Sequence, residues 1–397
     1  MKRVHIGARS NLEARAEEAG FTFVRMYGEP YWDEETAYAF TLRQIEDDLE
    51  DPSTELHEMC REAAERITAS ELLMERLAIP REHWDLVATS CTSGEAEFYG
   101  RFDLAYDGEG PAQLLEYNAD TPTSVFEAAS FQWTWLEDCI AAGLLPAGAD
   151  QFNRIFEAMA ERFGNMFESG DQIHFASAEG NVEDYATVEA IAYAAREAGM
   201  GAHYVPVEKI GLTDTGQFAD DESRVIGALF ALYPWEDMLR DKFGEAIAGS
   251  RCRMIEPAWK AVVSNKGILP VLWEMFEGHP NLLPTFFAED FDAQGPAVLR
   301  ARDAFAQGIV RKPLFSREGA SITIEKEGKM VERAENRAYD QHPTVVQAYR
   351  ELPLFDGFRP VVGTWIVGRT CVGLGVREDR SRITQDLSRF KPHYIEG

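Results

Sequence analysis

Apolar residues recur at intervals of three and four in the first part of the chain, and this spacing predicts helix from residue 33 to 78. The dipeptide Asp51-Pro52 predicts a break, because proline disfavours helical geometry in the residue before it. Ser53 or Thr54 is then the expected cap of the second helix. A second strongly apolar run, residues 125–143, predicts a helix that ends at its final glycine.

Strand patterns occupy the middle and the end of the chain. In residues 172–207, QIHFASA predicts a strand, VEDYATVEAIAYAAREAG a helix and AHYVPV a second strand, which together predict a βαβ unit with parallel pairing. GIVRKPLF (308–315) predicts another strand, and PVVGTWIVGRTCVGLGVRE (360–378) an antiparallel pair. Because these elements interleave without a Pro/Ser-rich linker, the predicted fold class is α+β with interlocked subdomains.

The segment GRFDLAYDGEGPAQLLEYNADTPTS, residues 100–124, predicts a hairpin with its turn at GEGP. With the turn at residues 108–111, the numbers of paired residues sum to 219. Asp103 then lies opposite Glu116 and Arg101 opposite Asn118, with all four side chains on one face. The same register assigns four apolar side chains to the other face, which is expected to pack in the core: Phe102, Leu104, Leu115 and Tyr117.

The two opposed carboxylates of this hairpin require an explanation, because like charges directly opposite each other destabilise a sheet. Asp103, Glu116 and the amide oxygen of Asn118 are the donors that Mg²⁺ takes when waters and phosphate oxygens fill its other positions. Arg101 beside them would serve an anionic oxygen. The alternative interpretation is a solvated face without a ligand, which is the usual condition of charged side chains.

Composition and charge limit the partners. The net charge of −29, from 39 Lys+Arg against 68 Asp+Glu, argues against a nucleic-acid backbone or an anionic membrane. No apolar run reaches the roughly 18 residues of a membrane span, and the basic N-terminus lacks the apolar core of a signal peptide. Five scattered cysteines without CxxC spacing indicate free thiols in a reducing cytosol. We therefore expect a cytoplasmic protein whose partners are small molecules.

Common nucleotide and hydrolase motifs are missing from the sequence: GxxxxGK[ST], strand–GxGxxG–helix, HExxH and GxSxG do not occur. A nucleotide would therefore be held without a P-loop. Four cations beside Gly, Pro or Ser are candidates for phosphate contacts, although an exposed surface position is the alternative for each: Lys266, Lys312, Arg317 and Arg377.

Four long segments carry a resemblance that covers the chain from about residue 15 to 394. YGRFDLAYDG, LLEYNADTPTS followed by EAASFQWTWLED, EPAWKAVVSNKGILPVLWEMFEGHPNLL and KPLFSREGASI resemble the glutathionylspermidine synthetase family, in consistent order. The resemblance implies an ATP-grasp fold with a βαβ pre-ATP-grasp unit in one synthetase-like unit, 1–397. Within that unit we expect a helical and hairpin part, a βαβ part and a nucleotide-binding part: 1–165, 166–245 and 246–397.

The resemblance also implies a reaction, ATP-dependent carbon–nitrogen ligation. A substrate carboxylate takes the γ-phosphoryl group of ATP, and an amine attacks the acyl phosphate; a glutathione-like peptide and a polyamine are the expected substrates. The implied roles are Mg²⁺ binding by Asp103, Glu116 and Asn118, catalysis by Arg101, Arg317 and Arg377, ATP binding by Lys266, Lys312 and Gln347, and substrate binding by Thr121, Thr123, Glu183 and Asp184. Glu183 and Asp184 open a helix, so they can also serve its N-terminus.

The sequence departs from the family pattern at three places. The amidase domain of the bifunctional members is missing, Thr121 and Thr123 stand where the family has serines, and the loop SREGAS has fewer glycines. The chain thus resembles the stand-alone synthetase-like branch, and we expect an acid–amine ligase whose acid, amine and oligomeric state stay open. A catalytically silent nucleotide-binding or regulatory relative of the same fold is the alternative. Joint retention of the eight charged or amide side chains favours the enzyme: Arg101, Asp103, Glu116, Asn118, Lys266, Lys312, Arg317 and Arg377.

Overall fold

The predicted hairpin and the predicted C-terminal pair form one sheet, which we call the central sheet. The structure, a computed structural model, describes residues 1–26, 28–385 and 388–397, and in these ranges the chain is α+β. Tyr99–Ala105 pairs antiparallel with Gln113–Asn118 on one side and with Arg359–Val367 on the other. Thr370–Asp379 and then Arg389–Lys391 complete this sheet. Residues near position 100 therefore lie beside residues near position 370.

A second antiparallel sheet contains the predicted strand GIVRKPLF as Ile309–Pro313. This strand lies at the middle of five, in the spatial order Thr285–Phe287, Thr344–Ala348, Ile309–Pro313, Thr323–Lys326 and Lys329–Arg333. The second sheet meets the central sheet where the Gln347 amide donates to the carbonyl of Leu114, 3.2 Å away. Leu114 and Gln347 are far apart in sequence, so this contact between the two sheets forms only in the folded chain.

The βαβ prediction is confirmed. Gln172–Ser177 and Gly201–Pro206 pair in parallel, and the helix Val182–Glu197 connects them. Ala228–Leu232 and Arg253–Ile255 extend this parallel sheet on its other side. Ile173, Phe175 and Phe230 are fully buried, as expected for parallel strands that are covered on both faces.

Helices cover the sheets. The α-helices of three residues or more are Leu12–Glu18, Leu42–Ile45, Asp51–Thr68, Glu71–Arg76, Trp84–Thr92, Gln132–Ala141, Ile155–Met166, Val182–Glu197, Trp235–Met238, Gly244–Ile247, Lys260–Val263, Ile268–Met275, Ala288–Asp292 and Pro296–Arg300. The helix predicted at 125–143 is present as a π-helical turn, Glu127–Phe131, followed by Gln132–Ala141. Within the described ranges, no helix is long and apolar enough to cross a membrane. All five cysteines are free thiols, as predicted.

The prediction of helix from residue 33 is wrong for its first part. Thr36–Phe40 is a strand that pairs with Lys2–His5 on one side and with His393–Ile395 on the other. All five residues of this strand are buried. A short buried strand and one turn of helix have the same apolar content, so the tertiary pairing decided between them.

The predicted helix break at Asp51-Pro52 is also wrong. A π-helical turn, Glu46–Glu50, runs directly into the helix Asp51–Thr68, and Pro52 lies in its first turn, where a missing N–H is tolerated. Ser53 does not cap this helix, because its hydroxyl lies 2.8 Å from that of Thr364. The Thr54 hydroxyl likewise accepts a hydrogen bond from the Cys371 amide. Both side chains tie the helix to the central sheet.

A fully buried lysine holds the two ends of the hairpin together. The Lys260 ammonium donates to the carbonyls of Tyr99 (3.0 Å) and Ala119 (2.9 Å) and pairs with Glu256 at 3.2 Å. Glu256 in turn accepts from the amides of Phe98 and Tyr99. The pair thereby fixes where the hairpin strands begin and end.

Lys260→Met is therefore expected to lower the free energy of unfolding by about 3–5 kcal/mol, because it leaves the buried Glu256 carboxylate without its counter-charge. Urea titration at pH 7 measures the change. The double variant K260M/E256Q should recover part of the loss. A loss as large in the double variant as in K260M would show that the unpaired Glu256 carboxylate is not the cause of the loss.

Candidate functional site

A cavity of about 430 Å³ lies where the hairpin of the central sheet faces the second antiparallel sheet and the parallel sheet. Its walls come from the hairpin, from segments within 310–324 and 347–352 of the second sheet, and from segments within 178–184 and 232–237 beside the parallel sheet. The cavity brings together most residues singled out from the sequence: Arg101, Asp103, Glu116, Asn118, Thr121, Thr123, Asp184, Lys312, Arg317, Gln347 and Arg377.

The hairpin register is as predicted for the residues that carry the charges. Arg101 lies opposite Asn118 and Asp103 opposite Glu116. A β-bulge after Asp103 then shifts the pairing, so that Leu104 faces Leu114 and not Leu115. The prediction that Leu115 packs in the core is therefore wrong: Leu114 is fully buried, and Leu115 lines the cavity. A bulge places two residues of one strand opposite one of the other, which reverses the faces beyond it.

Asp103 is neutralised by two arginines, Arg101 from its own strand and Arg377 from the strand Thr370–Asp379. The Arg101 guanidinium donates to its carboxylate at 2.8 Å, and that of Arg377 donates at 2.6 Å. Arg101 also donates to the carbonyl of Thr123 at 2.9 Å, which fixes the segment after the hairpin. Burial would lower the pKa of Arg101, but the adjacent Asp103 carboxylate outweighs burial and raises it. Arg101 is therefore a permanent positive charge at the cavity wall.

Glu116 is paired with a lysine from another segment. The Lys266 ammonium lies 3.1 Å from the Glu116 carboxylate and also donates to the carbonyl of Ser316 at 2.9 Å. The Asn118 amide donates to Glu116 at 3.4 Å. Burial would raise the pKa of Glu116, but Lys266 and Lys312 outweigh burial and hold it well below its usual range. Glu116 is thus ionised at neutral pH.

Lys312 lies between the two antiparallel sheets. Its ammonium donates to the side-chain oxygen of Gln347 at 2.7 Å and to the carbonyl of Leu115 at 2.8 Å. Burial lowers the pKa of Lys312 to about 8, although Glu116 acts in the opposite direction. The lysine is therefore mostly charged at pH 7 and titrates just above it.

Arg317 reaches the opposite wall of the cavity from its turn after Pro313. Its guanidinium donates to Glu236 at 2.5 Å and to the Thr121 hydroxyl at 3.3 Å. Burial would lower the pKa of Arg317, but Glu236 outweighs burial and raises it. The sequence predicts a phosphate contact for Arg317; in the ligand-free structure its guanidinium is held by the Glu236 carboxylate, which the sequence does not indicate.

The acidic pair Glu183 and Asp184 opens the helix Val182–Glu197, as predicted. The side chain of Asn181 caps this helix by accepting hydrogen bonds from both of their amides. Asp184 lines the cavity, and burial together with Glu183 and Glu318 raises its pKa to about 6. The capping role belongs to Asn181, so the two carboxylates are not needed for it.

Glu127 is a buried acid that the sequence analysis missed. It accepts a hydrogen bond from the Tyr31 hydroxyl at 2.6 Å. Burial and the nearby Glu183 raise its pKa to about 8. Glu127 is the first residue of EAASF. In the sequence it looks the same as an exposed acid on a helix, so nothing there indicates that it is buried.

Asp120 is a second residue that sequence reasoning passed over, although it lies inside the motif NADTPTS. Its carboxylate accepts hydrogen bonds from the Ser264 hydroxyl and, at 3.0 Å, from the Trp235 amide. Ser264 lies two residues before Lys266 and Trp235 one residue before Glu236, so Asp120 fixes the segments that carry the partners of Glu116 and Arg317. Asp120 is buried, but no periodic pattern of apolar residues in the sequence indicates this.

The side chains of Asp103, Glu116 and Asn118 carry the oxygen atoms that a hard cation prefers, and the two carboxylates lie on one face of the hairpin. In the ligand-free chain Asn118 turns its NH2 group toward both carboxylates, so its oxygen would face a cation only after the amide rotates. In the described residues, no group of three or more His, Cys, Asp or Glu side chains is arranged to hold a metal ion. A set with two carboxylates and one amide would leave the remaining positions to water and phosphate oxygens, which is the usual arrangement for Mg²⁺. The residues therefore fit Mg²⁺ bound together with a phosphate.

The fold has a counterpart among solved structures. A glutathione synthetase-like effector from Globodera pallida superposes with a TM-score of 0.61 over 98% of both chains, at 11% identity. The chain therefore shares the overall fold of that protein. Residues 3–396 match the family described as Glutathionylspermidine synthase preATP-grasp, and the chain belongs to this family of ligases.

Curated relatives carry related names. The chain is 36% identical, over the full length of both, to a Haemophilus influenzae protein named as an acid–amine ligase. It is 25% identical to trypanothione synthetase of Crithidia fasciculata, with 83% of this chain and 52% of that protein covered. It is 23% identical to the bifunctional glutathionylspermidine synthetase/amidase of Escherichia coli, with 89% and 58% covered. The chain thus spans little more than half of the two longer relatives.

Proposed function

We propose that the chain is an ATP- and Mg²⁺-dependent acid–amine ligase that forms an amide bond through an acyl phosphate. The observation that carries the proposal is the hairpin face: two opposed carboxylates, Asp103 and Glu116, line one cavity together with cations from two other segments, Lys312 and Arg377. Lys266 does not line the cavity, but it pairs with Glu116, which does. Phosphoryl transfer requires positioning and charge neutralisation more than covalent chemistry by the protein, and this set provides both.

The proposal places the nucleotide between the two antiparallel sheets. Lys312 and Gln347 would contact the purine and the phosphates, and the base would lie against the apolar side chains beside them, Val310, Ile324 and Leu352. Apolar walls with few polar groups are typical of small-molecule sites. In this arrangement residues 246–397 contribute the nucleotide-binding part of an ATP-grasp fold. Residues 1–165 and 166–245 contribute the hairpin and the βαβ part.

Mg²⁺ would be held by Asp103, Glu116 and Asn118, and when bound it would neutralise the charge of the phosphate oxygens. Binding of Mg²⁺ to Asp103 would free Arg101 and Arg377 from this carboxylate. Both arginines would then donate to the transferring phosphoryl group. Lys266 would make the same exchange from Glu116. Each cation thus has a carboxylate partner before the substrate binds and an anionic oxygen afterwards.

The acid and the amine would occupy the remaining side of the cavity. An oxygen of the substrate carboxylate attacks the γ-phosphorus, ADP leaves, and the amine nitrogen then attacks the acyl carbon with release of phosphate and a proton. Thr121 and Thr123 offer hydrogen bonds to a peptide-like acid, and Glu183 and Asp184 attract a cationic amine such as a polyamine.

The test is the release of ADP and phosphate from Mg·ATP in the presence of panels of peptide acids and polyamines. We expect ADP only when a suitable acid is present, and faster turnover when the amine is added. Arg377→Gln, which removes one phosphate contact, should lose the signal. If ATP binds but no combination yields ADP, the chain is a silent nucleotide-binding relative and not a ligase.

A further inference from the structure

A turn that follows the central strand of the second sheet closes one side of the cavity. Residues 314–322 connect Ile309–Pro313 to Thr323–Lys326, and Arg317, Glu318 and Gly319 line the cavity. Glu318 and Ser321 have positive φ angles of 52° and 60°, a conformation that costs energy in residues with a side chain. Contacts with the rest of the chain must therefore hold this turn in place.

The base of the turn and its tip are held by different partners. At the base, the Lys266 amide donates to the carbonyl of Leu314 at 3.0 Å, and its ammonium donates to that of Ser316 at 2.9 Å. At the tip, Arg317 spans to the far wall and contacts Glu236 and Thr121. The base of the turn is thus held on the side of the cavity proposed for the nucleotide. The tip contacts the side proposed for the acid and the amine.

The far wall is prepared to receive Arg317. Glu236 lies in the short helix Trp235–Met238, and Thr121 lies in the segment after the hairpin. Asp120 joins the two, because it precedes Thr121 and its carboxylate accepts from the Trp235 amide at 3.0 Å. The two groups that Arg317 contacts are therefore held at a fixed separation by a third, which is buried.

We propose that Glu236 is a positioning residue that latches the turn 314–322 over the cavity through its ion pair with Arg317. The latch itself follows from the contacts of the ligand-free chain, and its consequence for the reaction rests on the proposed function. A closed turn keeps water away from the transferring phosphoryl group. Glu236 would act through Arg317, without contacting the reacting atoms.

The first experiment measures hydrogen–deuterium exchange of the turn in the ligand-free, full-length protein. Glu236→Gln keeps an acceptor oxygen but removes the charge. We expect the amides of Ala320, Ser321 and Ile322 to exchange about tenfold faster, as for the loss of one hydrogen bond between charged groups. The melting temperature should stay within about two degrees, because glutamine keeps the size of the side chain and one acceptor oxygen for Arg317.

Two matched variants separate the latch from a general effect of charge. Asp237→Asn removes the same charge one residue away and should leave the exchange of the turn unchanged. In an Arg317→Gln background, Glu236→Gln should add nothing further, because the pair is already broken. Equal exchange in the wild-type protein and E236Q, or an additive effect in the double variant, would overturn the proposal.

The second experiment uses Mg·ATP alone and measures hydrolysis to ADP and phosphate with water as the acceptor. E236Q should raise this basal hydrolysis relative to the wild-type protein, whereas mere structural damage should lower it. Unchanged or lower hydrolysis with faster exchange would limit Glu236 to a structural contact and overturn its positioning role in the reaction. If the wild-type protein binds no ATP at all, the proposed function fails, while the exchange comparison still decides the latch.

Discussion

Asp103→Asn is expected to abolish Mg²⁺-dependent ADP formation and, at the same time, to strengthen the binding of metal-free ATP about tenfold. The two effects have one cause. The carboxylate would be a metal ligand in the reaction, but in the ligand-free chain it neutralises Arg101 and Arg377. Asparagine keeps the shape and loses the charge, so both arginines attract phosphate more strongly. Titration calorimetry with ATP in excess EDTA measures the affinity.

The control for this prediction is Glu109→Gln. Glu109 lies exposed in the turn of the same hairpin, so the substitution changes the net charge equally without touching the arginines. It should leave both metal-free affinity and turnover at the wild-type level. If Asp103→Asn weakens metal-free ATP binding, the arginines do not face the phosphates and the proposed arrangement is wrong.

Lys312→Met is expected to weaken ATP binding by about a hundredfold, roughly 2.7 kcal/mol at about 1.4 kcal/mol per tenfold. The ammonium would be lost as a partner of the nucleotide, and Gln347 and the Leu115 carbonyl would lose their donor. Methionine is unbranched and similar in length to lysine, so it preserves the packing, and thermal melting should show a folded chain. A variant that binds ATP normally would place the nucleotide elsewhere.

The pH dependence provides an independent check of the same group. The pKa of Lys312 is lowered to about 8 by burial, and bound phosphate would favour the charged form and raise it again. ATP affinity should therefore be highest below pH 8 and fall as the pH rises from 8 to 9.5, and K312M should remove this fall. The free energy of unfolding of the ligand-free chain should change in the other direction and rise between pH 8 and 9.5. Over this range the unfolded chain keeps the Lys312 proton that the folded chain has lost, because burial lowers the pKa only in the folded chain.

The hairpin shows how far the sequence determines the site. Alternation with a period of two and a single glycine-rich turn were sufficient to pair Asp103 with Glu116, and the structure has this pair. The bulge after Asp103 was not predictable, because it depends on how the strand fits the sheet it joins. The position of Leu115 changed as a result, while the charged face did not.

Long-range partners were the part of the site that the sequence could not supply. Glu236 comes from a short helix and Asp120 lies two residues after the hairpin strand Gln113–Asn118, and neither follows a periodic pattern. Their importance comes from what they contact across the fold, Arg317 and Trp235. The strand Thr36–Phe40 was mistaken for helix for the same reason, since its two partner strands lie at opposite ends of the chain.

The central sheet also determines when this site can form during synthesis. Asp103 and Arg377 are 274 residues apart, and the contact between them requires the strand that contains Arg377. At about 5–20 residues per second, roughly 14–55 s pass between translation of the two residues. During that interval the hairpin has an unpaired edge and an acidic face without its second arginine. A nascent chain can therefore complete its βαβ unit well before it acquires the second arginine of the proposed phosphate-binding face.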